Sequence, residues 1–152
     1  MSAETGFPRR GGAIPYEVRA EILDLISRYA NYWEFRACRE WAALFTEDGR
    51  FQDVQGRAAL EQACRAAAGR TDAERDQIHA QINTMLVQVA ADRVLGLTNV
   101  VFGSHRAGEA GSARYSAYGD YHDVFVHTSA GWRFASRRAC AHLSEPLPPQ
   151  LL

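Results

Sequence analysis

The hydrophobic period of this chain changes once, near residue 77. Before that point apolar residues recur at helical spacing; beyond it they alternate with polar ones at every second position. Helices first and long strands afterwards leave few folds open. The strands must pair with one another as a meander, and the helices must cover one of its faces. With 152 residues the chain has room for one sizeable core, so a single domain is expected.

The helical half divides readily. Pro15 suits a first helical turn. From there to about Phe35, Val18, Ile22, Leu25, Ile26, Tyr29 and Trp33 form one stripe, and Glu17, Glu21, Asp24 and Arg28 take the opposite side. A short second helix is expected from Cys38 to Phe45. The run from Thr46 to Gly49 stops it, with Gly49 as its C-terminal cap. A short strand from Arg50 to Gln55 and an Ala-rich helix from Arg57 to Ala68 follow. In the second half, strands are expected at about 78–90, 93–103, 113–128 and 132–143. The whole predicts an α+β fold: about three helices packed in a strongly curved, mostly antiparallel sheet. A curved sheet closed by helices is a cone-shaped barrel with an internal pocket. Residues 14–145 make the domain. A polar, Gly-rich arm precedes it at 1–13, and an apolar tail follows at 146–152.

Composition excludes several functions. A net charge of −1 provides no basic footprint for nucleic acid or an anionic membrane surface. No apolar run reaches the roughly 18 residues of a membrane span, and the two N-terminal arginines have no apolar segment behind them. Cys38, Cys64 and Cys140 are scattered and form no CxxC pair. Neither a disulfide framework nor a thiolate zinc site is indicated, and the expectation is a reduced, cytoplasmic protein. There is no glycine-rich phosphate loop, no nucleophile elbow and no HxH or HExxH spacing, so neither cofactor nor metal is expected.

One strand stands out. In the segment from Ile78 to Val87, alternation puts His79, Gln81 and Asn83 on one face and Ala80, Ile82 and Leu86 on the other. Three polar side chains in a row suit a face that lines a pocket. A neutral imidazole is a base of suitable strength near pH 7. A carboxylate on its other nitrogen would fix the tautomer, and Glu34 at the edge of the first helix stripe is the candidate. A phenol such as Tyr29 would donate to an oxygen gaining charge. Each group also has a structural reading: a strand histidine, a solvated helix-end glutamate, a core tyrosine. Asp123 shares a face with Tyr121 and would need a partner if buried. Arg137 on the next strand is the natural one, so a structural ion pair competes with a catalytic role. His105, His122, His127 and His142 are assigned to the surface or an interface, and Trp41 and Trp132 to packing. Ile82, Leu86, Leu95, Leu97, Val101, Val124, Val126 and Phe134 fall on the face away from the pocket, an apolar surface that suits a homodimer or homotrimer.

Several blocks carry a resemblance. Leu25, Tyr29 and Glu34, followed by Trp41, the run from Leu44 to Gly49 and Phe51, resemble the start of SnoaL-like proteins of the nuclear-transport-factor-2-like superfamily. His79 and Asn83 resemble that family's mid-chain His/Asn signature. Gly119 to Asp123, followed by Gly131 to Phe134 and Arg137, resemble its closing strand-turn-strand. The resemblance covers about residues 16–143 and is closest to the branch holding scytalone dehydratase, bile-acid 7α-dehydratase and hexachlorocyclohexane dehydrochlorinase. It implies His79 as the catalytic base, with Glu34 where the family has an aspartate. Tyr29 stands where the dehydratases have a tyrosine and the dehydrochlorinase a lysine, which favours a dehydratase or cyclase. Arg137 matches a pocket arginine, Tyr121 and Asp123 a pocket-lining strand, and Val100 and Phe102 apolar wall positions. Asn83 and Arg137 would be supporting polar groups that contact substrate. The expected function is a cofactor-independent lyase or cyclase acting on a hydrophobic polycyclic or polyketide-like small molecule. The alternative is a non-catalytic ligand-binding module or the small β-type subunit of a multicomponent oxygenase.

Overall fold

The computed structural model describes residues 14–68, 75–106, 108–111 and 114–141. The arm at 1–13, the tail at 146–152 and His142 lie outside them. Helix α1 (Tyr16–Glu34) and helix α2 (Cys38–Ala43) come first, then strands β1 (Phe45–Phe51) and β2 (Val54–Gln55) and helix α3 (Arg57–Ala68). Strands β3 (Arg75–Ala90), β4 (Arg93–Arg106), β5 (Arg114–Thr128) and β6 (Gly131–Ala141) complete the sheet. Its order is β2-β1-β6-β5-β4-β3. All pairings are antiparallel except β1 with β6, and the sheet is not closed. This is the expected cone-like α+β arrangement. Among the described residues no helix is long and apolar enough to cross a membrane.

Helix α1 buries Ile22, Leu25, Ile26 and Tyr29, the members of its predicted stripe, and leaves Glu17 and Glu21 in solvent. Pro15 stands just ahead of it and accepts the N–H of Arg19. The region from Thr46 to Gly49 departs from expectation. It does not stop a helix but runs as part of β1, beside β6. Gly49 is needed for close approach: a Cβ there would lie 2.8 Å from the Phe45 Cβ and 3.1 Å from the Phe134 carbonyl oxygen. Pairing with the last strand overrides the local turn chemistry of this run.

Two irregularities reverse the alternation that the sequence pattern implies. In β3, Asn83 has φ +53° and the register shifts between Ile82 and Met85, which marks a bulge. His79 and Gln81 therefore face inward before it, but Thr84 and Leu86 face inward after it. Leu86 belongs to the core and not to the outer face. In β6, Val124 pairs with Ser136 while Phe125 pairs with Phe134, so Ala135 is the extra residue. Phe134 and Arg137 consequently both point into the core, and Phe134 is fully buried instead of facing outward. The rest of the outer apolar set stands as expected. Ile82 is 46% exposed, and Leu95, Leu97, Val101, Val124 and Val126 are half-buried.

Among the described residues, the core holds one fully enclosed ion pair. Arg137 grips Asp123 through two parallel hydrogen bonds of 2.7 Å, and both side chains are fully enclosed. A further Arg137 nitrogen donates to Gln81 Oε1 at 2.8 Å, and Gln81 Nε2 donates to the Ile26 carbonyl at 2.9 Å. A continuous polar chain thus runs from β5 through β6 and β3 to α1. The guanidinium also lies 4.1 Å from the centre of the Tyr29 ring and 4.2 Å from that of Tyr121. Burial raises the Asp123 pKa, but the two guanidinium donors keep it an acceptor. Burial would lower that of Arg137, but Asp123 overrides it and holds the guanidinium charged.

A covalent link overturns the reading of three free thiols. Cys38 and Cys64 form a disulfide between α2 and α3, with their Cα atoms 5.5 Å apart, and only Cys140 is free. The pair lies 26 residues apart and is joined by tertiary packing, so no local motif announces it. Disulfides are uncommon in reducing compartments, so the cytoplasmic expectation loses its support from cysteine usage.

Replacing both cysteines by serine is expected to lower stability by about 3 kcal/mol through the freed loop. Thermal melting with and without reductant checks this: the wild type should lose roughly 10 °C on reduction and the double variant nothing. Arg137→Met leaves a buried carboxylate without its partner and should cost about 3–5 kcal/mol in denaturant unfolding, most of it recovered in Arg137→Met/Asp123→Leu.

Candidate functional site

Helix α1 ends where β3 passes it. Its last residue, Glu34, turns its carboxylate onto the strand, and Oε1 accepts the backbone N–H of His79 at 2.7 Å. The same oxygen lies 3.6 Å from His79 Nδ1, too long for a hydrogen bond. Nδ1 is buried and has no partner among the described residues. Desolvation lowers the His79 pKa below the free imidazole value, and the Glu34 charge opposes that shift without cancelling it. The imidazole is therefore neutral at pH 7, beside a carboxylate that would stabilise it once protonated.

Aromatic rings enclose this histidine in a closed circuit. His79 meets Trp33 at 6.3 Å between ring centres, and Trp33 meets Trp41 at 5.1 Å. Trp41 meets Tyr29 at 5.5 Å, and Tyr29 meets Tyr121 at 5.7 Å. Tyr121 meets Phe102 at 6.1 Å, and Phe102 returns to His79 at 5.0 Å. All six of these contacts are edge-on or tilted, the arrangement that aromatic quadrupoles favour. Exposure grades around the circuit. Trp41, Tyr29 and Tyr121 are buried at its base; His79, Trp33 and Phe102 are only partly buried. The Arg137 guanidinium lies against the two tyrosine rings at the base. Burial, then the neighbouring Tyr121 phenol, raises the Tyr29 pKa well above 10.0, and burial raises that of Tyr121, so both phenols keep their protons.

Most of the residues singled out from sequence therefore gather here. Glu34, not Asp123, is the carboxylate beside His79, since Arg137 occupies both oxygens of Asp123. Val100 is fully buried on the inner face of β4. Asn83 does not join them. It is exposed at the bulge, where its amide donates to Asn99 at 3.1 Å, and Asn99 in turn donates to Asp120. The inward polar position two along from Gln81 is lost to the bulge. Thr84 takes the inward place instead, its hydroxyl 3.1 Å from that of the buried Thr98.

Three contributors are given no place in the site by the sequence reading, which assigns Trp41 to packing. Gln81 was visible in the polar row beside His79, and its link to Arg137 and α1 depends on the packed structure. Trp33 was visible as a stripe member, and Trp41 as an apolar member of the second helix. A shallow groove of about 200 Å³ lies elsewhere, between α1 and the β5–β6 turn, lined by Glu21, Asp24, Arg28, Trp132 and Arg133 among others. It contains none of the groups around His79. Among the described residues no cluster of His, Cys, Asp and Glu suits a metal ion.

Comparisons with known proteins agree with this architecture. No curated protein matches the chain in sequence. Among solved structures, ActVI-ORFA from Streptomyces coelicolor is similar at a TM-score of 0.78 and 21% identity, over 87% of this chain and 100% of that one. A putative scytalone dehydratase from Novosphingobium aromaticivorans is similar at 0.69 and 20%, over 82% and 84%. An NTF2-like protein with a cystatin-like fold from the same organism is similar at 0.68 and 23%, over 90% and 89%. At these identities the likeness is one of fold. The model of the SnoaL-like domain matches residues 16–138, and the chain belongs to that family.

Proposed function

We propose that the protein is a lyase or cyclase, of dehydratase or isomerase type, that moves a proton on a hydrophobic polycyclic or polyketide-like small molecule. The observation that carries this reading is the partly buried, neutral imidazole of His79 with the Glu34 carboxylate 3.6 Å from its Nδ1. In the tautomer with hydrogen on Nδ1, the lone pair of Nε2 is the base. It takes a proton from a carbon next to a carbonyl, and the C–H electron pair delocalises onto the carbonyl oxygen. As the imidazolium forms, Glu34 is the nearest countercharge, so the interaction strengthens in the transition state more than in the ground state. Tyr29, whose phenol stays protonated, is the proposed donor to the oxygen that gains charge. In an elimination, a C–O bond then breaks and the departing hydroxide takes the proton from His79 as water. In an isomerisation the proton returns to another carbon. These groups suffice for either course without a cofactor.

Phe102, Val100 and Tyr121 are proposed as walls for the apolar part of the substrate. Arg137 and Asp123 contribute by holding the two tyrosine rings rather than by reaching the reacting atoms. Membership of the SnoaL-like family and the likeness to a putative scytalone dehydratase support the reaction class. The half-buried outer sheet face supports assembly as a homodimer or homotrimer. A second reading, a ligand-binding module or small oxygenase subunit without its own chemistry, draws on one observation. Glu34 accepts its hydrogen bond from the backbone N–H of His79 and not from the ring.

His79→Gln should abolish turnover of the true substrate while the far-ultraviolet spectrum and melting point stay near those of the wild type; retained turnover would sink the assignment. The acid limb of kcat/KM should lie below the free imidazole value of 6.5, because desolvation lowers the His79 pKa. Glu34→Gln removes the opposing influence and should move that limb to lower pH still. The sign also appears in stability. The unfolded histidine binds its proton at a higher pH than the folded one, so this residue subtracts stability as the pH falls from 6.5 towards the folded value.

A further inference from the structure

Among the described residues, two hydrogen bonds join α1 to β3. One belongs to the site, where Glu34 Oε1 accepts the backbone N–H of His79 at 2.7 Å. In the other, Gln81 Nε2 donates to the Ile26 carbonyl at 2.9 Å. Their ends stand about 12 Å apart along the helix, from Ile26 to Glu34, and about 7 Å apart along the strand, from Gln81 to His79. A helix held to a strand at two points so spaced has its position and tilt fixed; held at one, it can pivot. The Gln81 amide cannot turn over. Its Oε1 accepts from Arg137 at 2.8 Å, and a guanidinium offers donors only. The oxygen must face Arg137, which leaves the NH2 group facing α1. The Ile26 carbonyl, in mid-helix, already accepts the N–H four residues further on, so the helix itself does not call for this second donor.

The site needs such a tie. Glu34 is the last residue of α1, and its side chain is partly in solvent. The 3.6 Å between its carboxylate and His79 Nδ1 is not closed by a hydrogen bond, so it is set by where α1 lies and not by the length of a bond. Glu34 is also the charged group that acts on His79 among the described residues, opposing the effect of desolvation. We propose that Gln81 is a positioning residue: by tying Ile26 to β3 it fixes the distance between the Glu34 carboxylate and the His79 imidazole. This deepens the proposed function and rests on it. Gln81 acts through Glu34 and not on the reacting atoms. The buried Arg137–Asp123 pair takes part through Gln81, because it holds the amide in the orientation that donates to α1. The competing reading is purely structural, with Gln81 serving only as a third acceptor for Arg137.

The test is the nuclear magnetic resonance titration of the His79 ring, without any ligand, in the wild type, Gln81→Met, Glu34→Gln and the double variant. The ring resonance is assigned by its loss in His79→Gln. Methionine keeps the unbranched shape and has no N–H to donate. With the tie gone, the Glu34 end of α1 is free to move towards solvent, and its influence on His79 weakens. Gln81→Met should therefore shift the titration to lower pH, in the same direction as Glu34→Gln. It should shift it no further where Glu34 is already glutamine. Such non-additivity is the mark of action through Glu34. A purely structural role lowers the melting point but leaves the titration in place, or moves it equally with and without Glu34. If Gln81→Met fails to fold, Gln81→Glu takes its place. Its carboxylate still accepts from Arg137 but cannot donate to Ile26, and its added charge acts alike in both backgrounds, so the difference between them remains the readout. An unmoved titration in Gln81→Met, a shift to higher pH there, or an equal shift in the two backgrounds each overturn the inference. The readout does not depend on turnover. Turnover retained in His79→Gln would remove the proposed base and leave the tie standing, whereas an equal shift would remove the tie and leave the base.

Discussion

The interior of this protein is arranged around a charge that has nowhere to go. The Arg137 guanidinium is fully buried and cannot release its proton at any ordinary pH. It must therefore be met by acceptors and by surfaces that tolerate charge. Asp123 supplies two acceptors and Gln81 a third, while Tyr29, Tyr121 and Phe134 offer ring faces within 4.4 Å. Each requirement constrains a different element. β5 must present Asp123 opposite Arg137, β3 must present Gln81, and α1 must bring both Tyr29 and the Ile26 carbonyl. Once these are satisfied, the crossing of α1 over the sheet leaves little freedom, and the end of α1 arrives at His79. The candidate site is thus positioned by a polar structure that lies beneath it.

That arrangement also accounts for how little of the site reaches water. Desolvation is the largest influence on His79, Tyr29 and Tyr121 alike, and in each case it favours the neutral form. A neutral imidazole and two neutral phenols among aromatic rings fit the proton transfer to and from carbon that we propose. Glu34, at the solvent-facing end, lies beside the imidazole, while Asp123 is committed to the Arg137 guanidinium.

Much of this was legible in the sequence, for physical reasons. The stripe of α1 and the span of α3 follow from period and from the glycine after Ala68, and the meander follows from alternation. The gathering of Tyr29, Glu34, His79, Phe102, Tyr121, Asp123 and Arg137 was accessible through the family resemblance. What failed shares one cause. Alternation was carried across Asn83 and Ala135, where one extra residue reverses the faces, so Asn83, Leu86 and Phe134 were placed on the wrong sides. The strand at Thr46–Gly49 and the Cys38–Cys64 bond were hidden because both depend on partners distant in the chain. Local pattern reports local geometry, and these features are tertiary.

The parallel pairing of β1 with β6 has a consequence for the order of events during synthesis. Phe45 lies beside Phe134, so the first strand waits for the last. Until β6 leaves the ribosome, the helices have no complete surface to rest on, and Asp123 stands without its cation. The nascent chain must hold everything from α1 to β5 in a partly covered state before one short segment, β6, completes the sheet and the ion pair together. A chain built this way is most open to misassociation in the interval between the making of β1 and the arrival of β6.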